Sequence, residues 1–310
     1  MCVGHNMTRA VVRLAIGVLS GPGSRFEQRR NELRQGFLGE AWSTFAYRFV
    51  VRCGGMNTSM RDHVMRPDVY CATADHREPR VRGAIYALVD WFSFALWAFP
   101  SALCIGKIDD DSFLNIPLCL QILRMLPEHQ LWYAGAMYRW NYDLKRERLW
   151  GWGGMDCDTC VGPFTFATGS LMLLSVPLCR SFVRRSHSHL SVVRKWSDTH
   201  AVVYEDAWLG MQLRADGNNL TYYKLNTLLM DEDGFRVPTT LLSYHNRYKL
   251  GCRVFEMSAY YERVRRMSCT THLHFTGTKA RATSTCPGVV DLRNSAMRNK
   301  YSIPPCPVQS

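Results

Sequence analysis

The chain has 310 residues, 47% of them hydrophobic and 12% aromatic, which excludes a disordered protein and allows one large domain or two modest ones. The formal net charge of +12 favours an anionic partner such as nucleic acid, a phosphate-bearing substrate or an acidic membrane surface. A basic surface that only maintains solubility explains the charge equally well.

The first half of the sequence alternates apolar runs with helical patterns. The run RLAIGVLS, ended by GPG, predicts a buried strand at 13–20. Ser24 and Glu27 have the spacing of a capping box, which predicts that a helix begins there. Further strands are predicted at 45–53, 102–108 and 131–138, with helices at 82–98 and 116–126. This order predicts an α/β fold with a largely parallel sheet that helices cover on both faces.

The apolar stretch at 83–106 is long enough to span a bilayer. Asp90 lies near its middle, however, and Pro100 interrupts it. A buried helix followed by a strand therefore explains the stretch better than a transmembrane span does.

The second half of the sequence has a different character. The stretch 139–164 is rich in Gly, Trp and charged residues, which predicts loops and a hairpin over a cleft. Helices near 176–186 and 205–215 and short strands around 220–230 complete the predicted core. The predicted organisation is a lead at 1–12, one domain at 13–276 and a polar, proline-punctuated tail at 277–310.

Twelve cysteines and three glycosylation sequons favour the oxidising lumen of the secretory pathway. The sequons begin at Asn6, Asn57 and Asn219. The CDTC at 157–160 has no second CxxC to complete a zinc ribbon, so we interpret it as a disulfide or as free thiols. The first residues show no separate apolar segment of a signal peptide, and we expect a membrane anchor in a full-length form.

Three consecutive aspartates in KIDDDSFLN follow the predicted strand at 102–108. On an extended chain, Asp109 and Asp111 point to one side and Asp110 to the other. Two carboxylates on one side raise each other's pKa unless a cation offsets them, and oxygen ligands beyond the end of a strand suit Mg²⁺ or Mn²⁺. The alternative is an acidic turn in which Asp111 or Ser112 caps the next helix.

KIDDDSFLN also resembles the K-x-D-D-D-x-F segment of a known family, and four other segments match that family in the same order. IGVLSGPGSRFEQRRNELRQGF resembles its opening strand and R-x-x-x-R-x-x-W helix. GPFTFATGSLMLLS resembles Y-P-x-Y-x-x-G-x-x-Y-x-x-S, and YEDAWLGMQL resembles E-D-V-x-x-G. SYHNRYKLG resembles a His-bearing stretch near the end of the catalytic domain. Over roughly residues 13–262, the chain thus resembles the inverting β1,3-glycosyltransferases of glycosyltransferase family 31.

The resemblance implies a GT-A-type, Rossmann-like fold and a hexosyltransferase activity. The implied enzyme moves galactose or N-acetylglucosamine from UDP-galactose or UDP-N-acetylglucosamine to a glycan hydroxyl of a glycoprotein or glycolipid, forming a β1,3 linkage. It implies Mn²⁺ or Mg²⁺ as the cofactor, because a divalent cation stabilises the departing diphosphate. It also implies a type II membrane protein of the Golgi, with no nucleic-acid partner.

The resemblance assigns roles to the carboxylates and to one histidine. Asp111 is the expected direct metal ligand, and His245 the expected ligand from the far side of the site. Asp109 and Asp110 are expected to face the ribose or a metal-bound water. Without the resemblance, a histidine in a polar loop is more often simply exposed.

The acids of YEDAWLGMQL lie at the start of a predicted helix, where negative charge is favourable for the helix itself. An inverting transfer also needs a base that takes the proton of the acceptor hydroxyl. The resemblance makes Asp206 that base, and it makes Glu205 a residue that orients its neighbours or the acceptor.

The remaining candidate residues surround these acids in the sequence. Arg30 and Arg34 lie one helical turn apart, and they are expected either to hold the uracil–ribose end of the donor or to stabilise the strand–helix turn. Lys107 is assigned to donor binding. Gly169 is assigned to the acceptor side, and Trp152 in WGWGG is the candidate platform for a sugar ring, although a Trp more often belongs to a core.

The chain departs from the family at several positions. Phe37 stands where the family has Trp, and the upstream lysine is replaced by Arg80 or Arg82. Together with Trp208, these changes resemble the divergent members of kinetoplastid protists more than the animal enzymes. They leave open a catalytically silent carbohydrate-binding relative. A nucleic-acid-binding protein is motivated only by the charge, since no module of that kind is present.

Overall fold

The computed structural model describes most of the chain between residues 11 and 285. The described residues are 11–40, 43–143, 145, 148–152, 160–195, 204–215, 219–225, 229–231, 243–245, 270–276 and 279–285. The helices are α1 (Ser24–Gln35), α2 (Thr58–Val64), α3 (Arg80–Ala98), α4 (Ile116–Leu123), α5 (Val176–Lys195) and α6 (Glu205–Ala215). The strands are β1 (Leu14–Ser20), β2 (Phe45–Gly54), β3 (Val69–Asp75), β4 (Cys104–Asp109), β5 (Ser112–Leu114), β6 (Trp132–Asp143), β7 (Arg148–Trp152), β8 (Cys160–Ser175), β9 (Thr221–Lys224), β10 (Leu229–Asp231), β11 (Ser243–His245), β12 (Thr270–Thr276) and β13 (Lys279–Thr285).

A mixed, mainly parallel sheet organises the described residues. Its strand order is β12-β13-β9-β6-β8-β4-β1-β2-β3, and β7 forms a hairpin with β6. The four strands β4, β1, β2 and β3 are parallel, whereas β8 runs antiparallel to its neighbours β4 and β6. A second, small sheet has the order β10-β11-β5. These observations confirm the predicted α/β fold with a mixed sheet flanked by helices.

Alternating residues of the strands build a core on each face of the sheet. In β1, Leu14, Ile16 and Val18 are buried in the core that α1 and α4 cover. Ala15 is buried in the other core, which α3, α5 and α6 cover. Such strands, buried on both faces, explain why the sequence shows continuous apolar runs rather than an alternating pattern.

The apolar stretch at 83–106 divides as predicted into α3 and β4. Asp90 does not disturb α3, because its Oδ2 accepts hydrogen bonds from the backbone N of Thr73 at 2.7 Å and from the Thr73 Oγ1 at 2.6 Å. None of the helices in the described part of the chain is long and apolar enough to cross a membrane.

Two local predictions need correction. Gly23, not Ser24, is the N-cap residue of α1, and no side chain caps this helix, so Ser24 is the first helical residue. The prediction also missed α2, which is short and polar, and the strand β3 that follows it. Asn57 caps α2 through a 2.9 Å hydrogen bond that its Oδ1 accepts from the backbone N of Met60.

The sequence from residue 277 onward was predicted to be a tail, but 279–285 form β13. This strand pairs antiparallel with β12 and contacts β9 at the edge of the large sheet. The polar composition that suggested a tail is therefore compatible with a strand at the periphery of the sheet.

The cysteines are used in two ways. A disulfide joins Cys53 of β2 to Cys71 of β3, and Cys160 is also disulfide-bonded. Cys104, Cys119 and Cys179 are buried free thiols. Burial raises the pKa of Cys119 to about 12, so these thiols behave as apolar core residues.

Gly210 allows α6 to approach β8 closely. A Cβ at this position would lie 2.5 Å from the Phe166 Cβ and 2.6 Å from the Thr165 carbonyl oxygen. Because α6 carries Glu205 and Asp206 at its first two positions, this contact also determines where these two acids lie.

We expect Gly210→Ala to lower the free energy of unfolding by about 1–2 kcal/mol. The overpacking against β8 outweighs the higher helix propensity of alanine. Urea denaturation of the purified protein measures the change. Gln212→Ala on the same helix adds no atoms and is the matched control, expected to stay within about 0.5 kcal/mol of the wild type. Equal stability of Gly210→Ala and wild type would contradict the close approach.

Candidate active site

The aspartate triplet lies where the connection between strands changes direction. The chain passes from β1 to β2 and β3 on one side, and then crosses to β4 on the other side of β1. Open α/β sheets bind ligands in the crevice at such a point, beyond the carboxyl ends of the strands. β1 ends there at Ser20, and β4 ends there at Asp109.

Lys107 connects three segments that are far apart in the sequence. Its side chain is fully buried, and its Nζ lies 2.6 Å from the Asp109 Oδ1 and 2.8 Å from the Glu205 Oε1. The same Nζ donates a 3.3 Å hydrogen bond to the carbonyl oxygen of Gly169. Burial alone would lower the pKa of Lys107, but the two carboxylates outweigh it and raise that pKa, so the ammonium is charged.

The two acids at the start of α6 differ in their protonation behaviour. Burial would raise the pKa of Glu205, but the attraction of Lys107 dominates and lowers it. The pKa of Asp206 is raised to about 7, first by burial and then by the negative charge of Glu205. The Asp206 Oδ1 accepts a 2.6 Å hydrogen bond from the backbone N of Ala207. One acid is thus held ionised, while the other titrates near neutral pH.

Position 169 has no room for a side chain, because the ion pair between Lys107 and Asp109 lies directly beside it. A Cβ at this position would lie 2.5 Å from the Asp109 Oδ2 and 3.0 Å from the Lys107 Nζ. The predicted role on the acceptor side stays a prediction, but the contacts explain why a residue without a side chain is needed in GPFTFATGS.

Asp110 turns away from Lys107 and is buried against α1. Its Oδ1 lies 2.6 Å from the Arg29 Nη1, and its Oδ2 accepts a 2.7 Å hydrogen bond from the Ser20 Oγ. Burial raises the pKa of Asp110 to about 6 despite the attraction of Arg29. The same Arg29 Nη1 lies 3.5 Å from the Asp111 Oδ2, so one guanidinium serves two of the three aspartates.

Arg29 is a residue of the site that the sequence analysis missed. It is buried in α1 together with Arg30 and Leu33. A signal was available, because Arg29 lies three residues after Phe26 and four before Leu33, on the face where the apolar residues of the helix repeat. A charged residue on such a face needs a buried partner, which the aspartates supply.

Arg30 and Arg34 have separate structural partners. The Arg30 Nη1 donates to the Ser20 Oγ at 3.0 Å and to the Gly21 carbonyl oxygen at 2.6 Å, and therefore stabilises the turn between β1 and α1. Burial, followed by the charge of Arg34, lowers the pKa of Arg30. Arg34 donates to both carboxylate oxygens of Asp68 at 2.7 and 2.9 Å, which places it beside β3. Of the two predicted uses of Arg30, the contacts match stabilisation of the turn.

Two further candidates lie on strands whose side chains the structure does not describe. His245 occupies the position of β11 opposite Ser112 of β5, so its backbone runs beside the segment that follows Asp111. Trp152 occupies the position of β7 opposite Trp140 of β6.

Three of the positions at which the sequence differs from the motifs that it resembles have described contacts or charge effects. Phe37 is buried and packs edge-to-face on Phe113 of the DDDSF segment, with ring centroids 5.2 Å apart. It thus fills core space beneath the aspartates. Arg80, at the start of α3, contributes to lowering the pKa of Glu205. Arg82 is paired with Glu78 at 2.6 Å.

The carboxylates at this edge offer oxygen atoms of the kind that hard divalent cations bind. Asp109 and Asp111 are partly exposed, with 28% and 18% of their side chains accessible, and the strand of His245 pairs with the strand that begins at Ser112. Among the side chains that the structure describes, no group of three His, Cys, Asp or Glu residues stands ready to hold an ion. The described positive partners of the triplet are Lys107 and Arg29.

The solved structures that are similar to this chain include two glycosyltransferases. The first is described as the crystal structure of a glycosyltransferase involved in the glycosylation of the major capsid of PBCV-1. It is 12% identical, has a TM-score of 0.42, and the match covers 79% of this chain and 99% of that one. The second is mouse xyloside xylosyltransferase 1 in its apo form, 14% identical with a TM-score of 0.38, covering 76% of this chain and 97% of that one.

Both likenesses are remote in sequence. No protein-family model matches the sequence, and no curated protein matches it.

We expect Lys107→Met to lower the free energy of unfolding by about 3–5 kcal/mol, because it leaves the largely buried Glu205 and the partly exposed Asp109 without their cation. Urea denaturation at neutral pH measures the change. Lys224→Met removes an exposed lysine from β9 and should stay within about 0.5 kcal/mol of the wild type.

The double variant Lys107→Met, Glu205→Gln should recover part of the loss, since one of the orphaned charges is then absent. Full stability of the single variant would show that the ammonium does not hold the three segments together.

Proposed function

We propose that the protein is a metal-dependent, inverting glycosyltransferase of the GT-A type. It moves galactose or N-acetylglucosamine from a UDP-sugar to a glycan hydroxyl and forms a β1,3 linkage. The observation that carries the proposal is the Lys107-centred cluster. This cluster brings the aspartate triplet and the acids of α6 together at the switch point of the sheet, with one of those acids titrating near neutral pH.

Asp111 and His245 would hold Mn²⁺ or Mg²⁺ in this proposal. When bound, the cation offsets the negative charge of the donor's diphosphate. Asp109, held by Lys107, faces the donor with its other oxygen. Asp110 is largely buried and acts as a positioning residue, because it shares Arg29 with Asp111 and so holds that guanidinium and Asp111 in place.

Asp206 is the proposed general base. With a pKa of about 7, it is ionised in a substantial fraction of molecules at neutral pH and still accepts a proton readily. The acceptor oxygen forms a bond with the anomeric carbon from the face opposite the diphosphate. The bond from that carbon to the diphosphate oxygen breaks, and the hydroxyl proton passes to the Asp206 carboxylate. Glu205, held ionised by Lys107, orients the start of α6.

A secretory-pathway lumen fits the chemistry of the cysteines. The Cys53–Cys71 disulfide and the disulfide-bonded Cys160 are typical of an oxidising compartment, and the three sequons agree with it. We therefore propose the Golgi as the site of action, with glycoproteins or glycolipids as acceptors. The type II membrane topology is proposed from the family resemblance alone.

Donor binding tests the metal assignment. We expect UDP-galactose or UDP-N-acetylglucosamine to raise the melting temperature in the presence of Mn²⁺, with about 2.7 kcal/mol of stabilisation at a hundredfold excess over Kd. UDP and UDP-glucose complete the comparison. Asp111→Ala should lose the Mn²⁺-dependent part of the shift, whereas Asp62→Ala, on the exposed surface of α2, should retain it. A full Mn²⁺-dependent shift in Asp111→Ala contradicts the assignment.

The pH dependence of transfer tests the base. A base acts only when deprotonated, so kcat/KM should rise with pH and level off above about 7. Asp206→Asn should lower kcat by about 10²- to 10⁴-fold while the thermal shift with the donor remains. Asp62→Asn is the control. Transfer by Asp206→Asn at the wild-type rate would remove the proposed base, even if donor binding were confirmed.

A further inference from the structure

A groove of about 600 Å³ lies between α3 and α5. It is lined by Leu96, Leu131, Pro177, Arg180, Ser181, Val183 and Arg184. Apolar side chains form most of its wall, and two arginines from α5 stand among them. None of these residues belongs to the candidate active site.

The groove lies at the edge of the sheet opposite the aspartates. α3 begins after the carboxyl end of β3 and ends before the start of β4, so its last turn lies where the parallel strands begin. β6 runs in the same direction as β4, which places Leu131 at that edge. β8 is antiparallel and ends there at Ser175, directly before α5. With 19 residues, α3 separates the two edges by roughly 28 Å.

Arg180 and Arg184 give the groove an uncompensated positive charge. They lie four residues apart on α5, so they share one face of the helix, and both are exposed. Neither forms an ion pair with any carboxylate in the described part of the chain. Their charge is therefore available to an external anionic surface, and the net charge of +12 adds long-range attraction.

Trp97 extends the apolar wall of the groove into solvent. It follows Leu96 in α3 and is 79% exposed, which is unusual for the largest side chain. Two other exposed apolar residues, Val11 before β1 and Met125 after α4, lie at the same edge of the sheet. Tryptophan with basic residues around apolar side chains is typical of protein surfaces that lie in the headgroup region of a bilayer.

We propose that this edge is a membrane-docking face, defined by Leu96, Trp97, Leu131, Arg180 and Arg184. The guanidiniums contact the phosphates and carboxylates of anionic lipids, while Trp97 and the apolar wall enter the headgroup layer. Docking in this way turns the aspartate edge away from the bilayer. The inference does not depend on the proposed function, because it rests on a different edge of the sheet.

Vesicle flotation of the purified protein tests the docking face at physiological ionic strength. We expect binding to vesicles of phosphatidylcholine mixed with phosphatidylserine, none to phosphatidylcholine alone, and release at high salt. Arg180→Gln with Arg184→Gln should weaken the partition coefficient about 30-fold, since each basic residue near the surface contributes about 1 kcal/mol. Trp97→Gln should weaken binding several-fold, and Trp97→Phe should weaken it less.

The matched control removes two exposed arginines that lie outside the docking face. Arg25→Gln with Arg61→Gln changes the net charge equally, in the first turn of α1 and the last turn of α2, and should remain within about threefold of the wild type. Urea denaturation should show unchanged stability for all of these variants, because the substituted side chains are exposed.

Three results would overturn the proposal. One is equal binding to both kinds of vesicle. Another is an equal loss of binding in the control and groove variants. The third is a dimer, seen by sedimentation velocity and abolished by Trp97→Gln, in a protein that does not bind vesicles, since the groove would then be a contact between two copies of the chain.

Discussion

The buried ammonium of Lys107 is the interaction on which the rest of the site depends. It is surrounded by Asp109 from the end of β4, Glu205 from the start of α6 and a carbonyl oxygen of β8. An isolated charge at this depth would be strongly unfavourable, and so would either carboxylate without it. Lys107 therefore holds β4, α6 and β8 in one arrangement. Gly169 and Gly210 allow these three elements to approach one another closely, because neither residue has a side chain.

This arrangement gives neighbouring acids different properties. Glu205 contacts Lys107 and stays ionised. In contrast, burial and the negative charge of Glu205 raise the pKa of Asp206 to about 7. On the other side of the triplet, the Arg29 guanidinium forms ion pairs with Asp110 and Asp111 and so offsets their negative charge. Lys107 and Arg29 thus help to make three adjacent carboxylates compatible with a folded chain, and Asp109 and Asp111 remain partly exposed. The proposed transferase activity uses this division between fixed and titrating acids.

The two edges of the sheet differ in charge and polarity. The aspartate triplet and the acids of α6 lie where the parallel strands end, and the groove with Arg180, Arg184 and the exposed Trp97 lies where they begin. The length of α3 keeps these two regions apart. A protein that binds an anionic surface with one edge and a charged, diffusing substrate with the other would use both regions without interference.

The sequence by itself determined the strands and helices of the first half apart from α2 and β3, the division of 83–106 into α3 and β4, and the position of the aspartates at a strand end. These features follow from local patterns, namely apolar runs, turn residues and helical spacing. It did not determine that Arg29 rather than Arg34 reaches the triplet, that Lys107 lies beneath the site, or that β13 joins the sheet. Those facts depend on contacts between residues up to 98 positions apart, such as Lys107 with Glu205. Only the tertiary structure decides them, because the identity of a charged residue does not reveal which distant partner makes its burial possible.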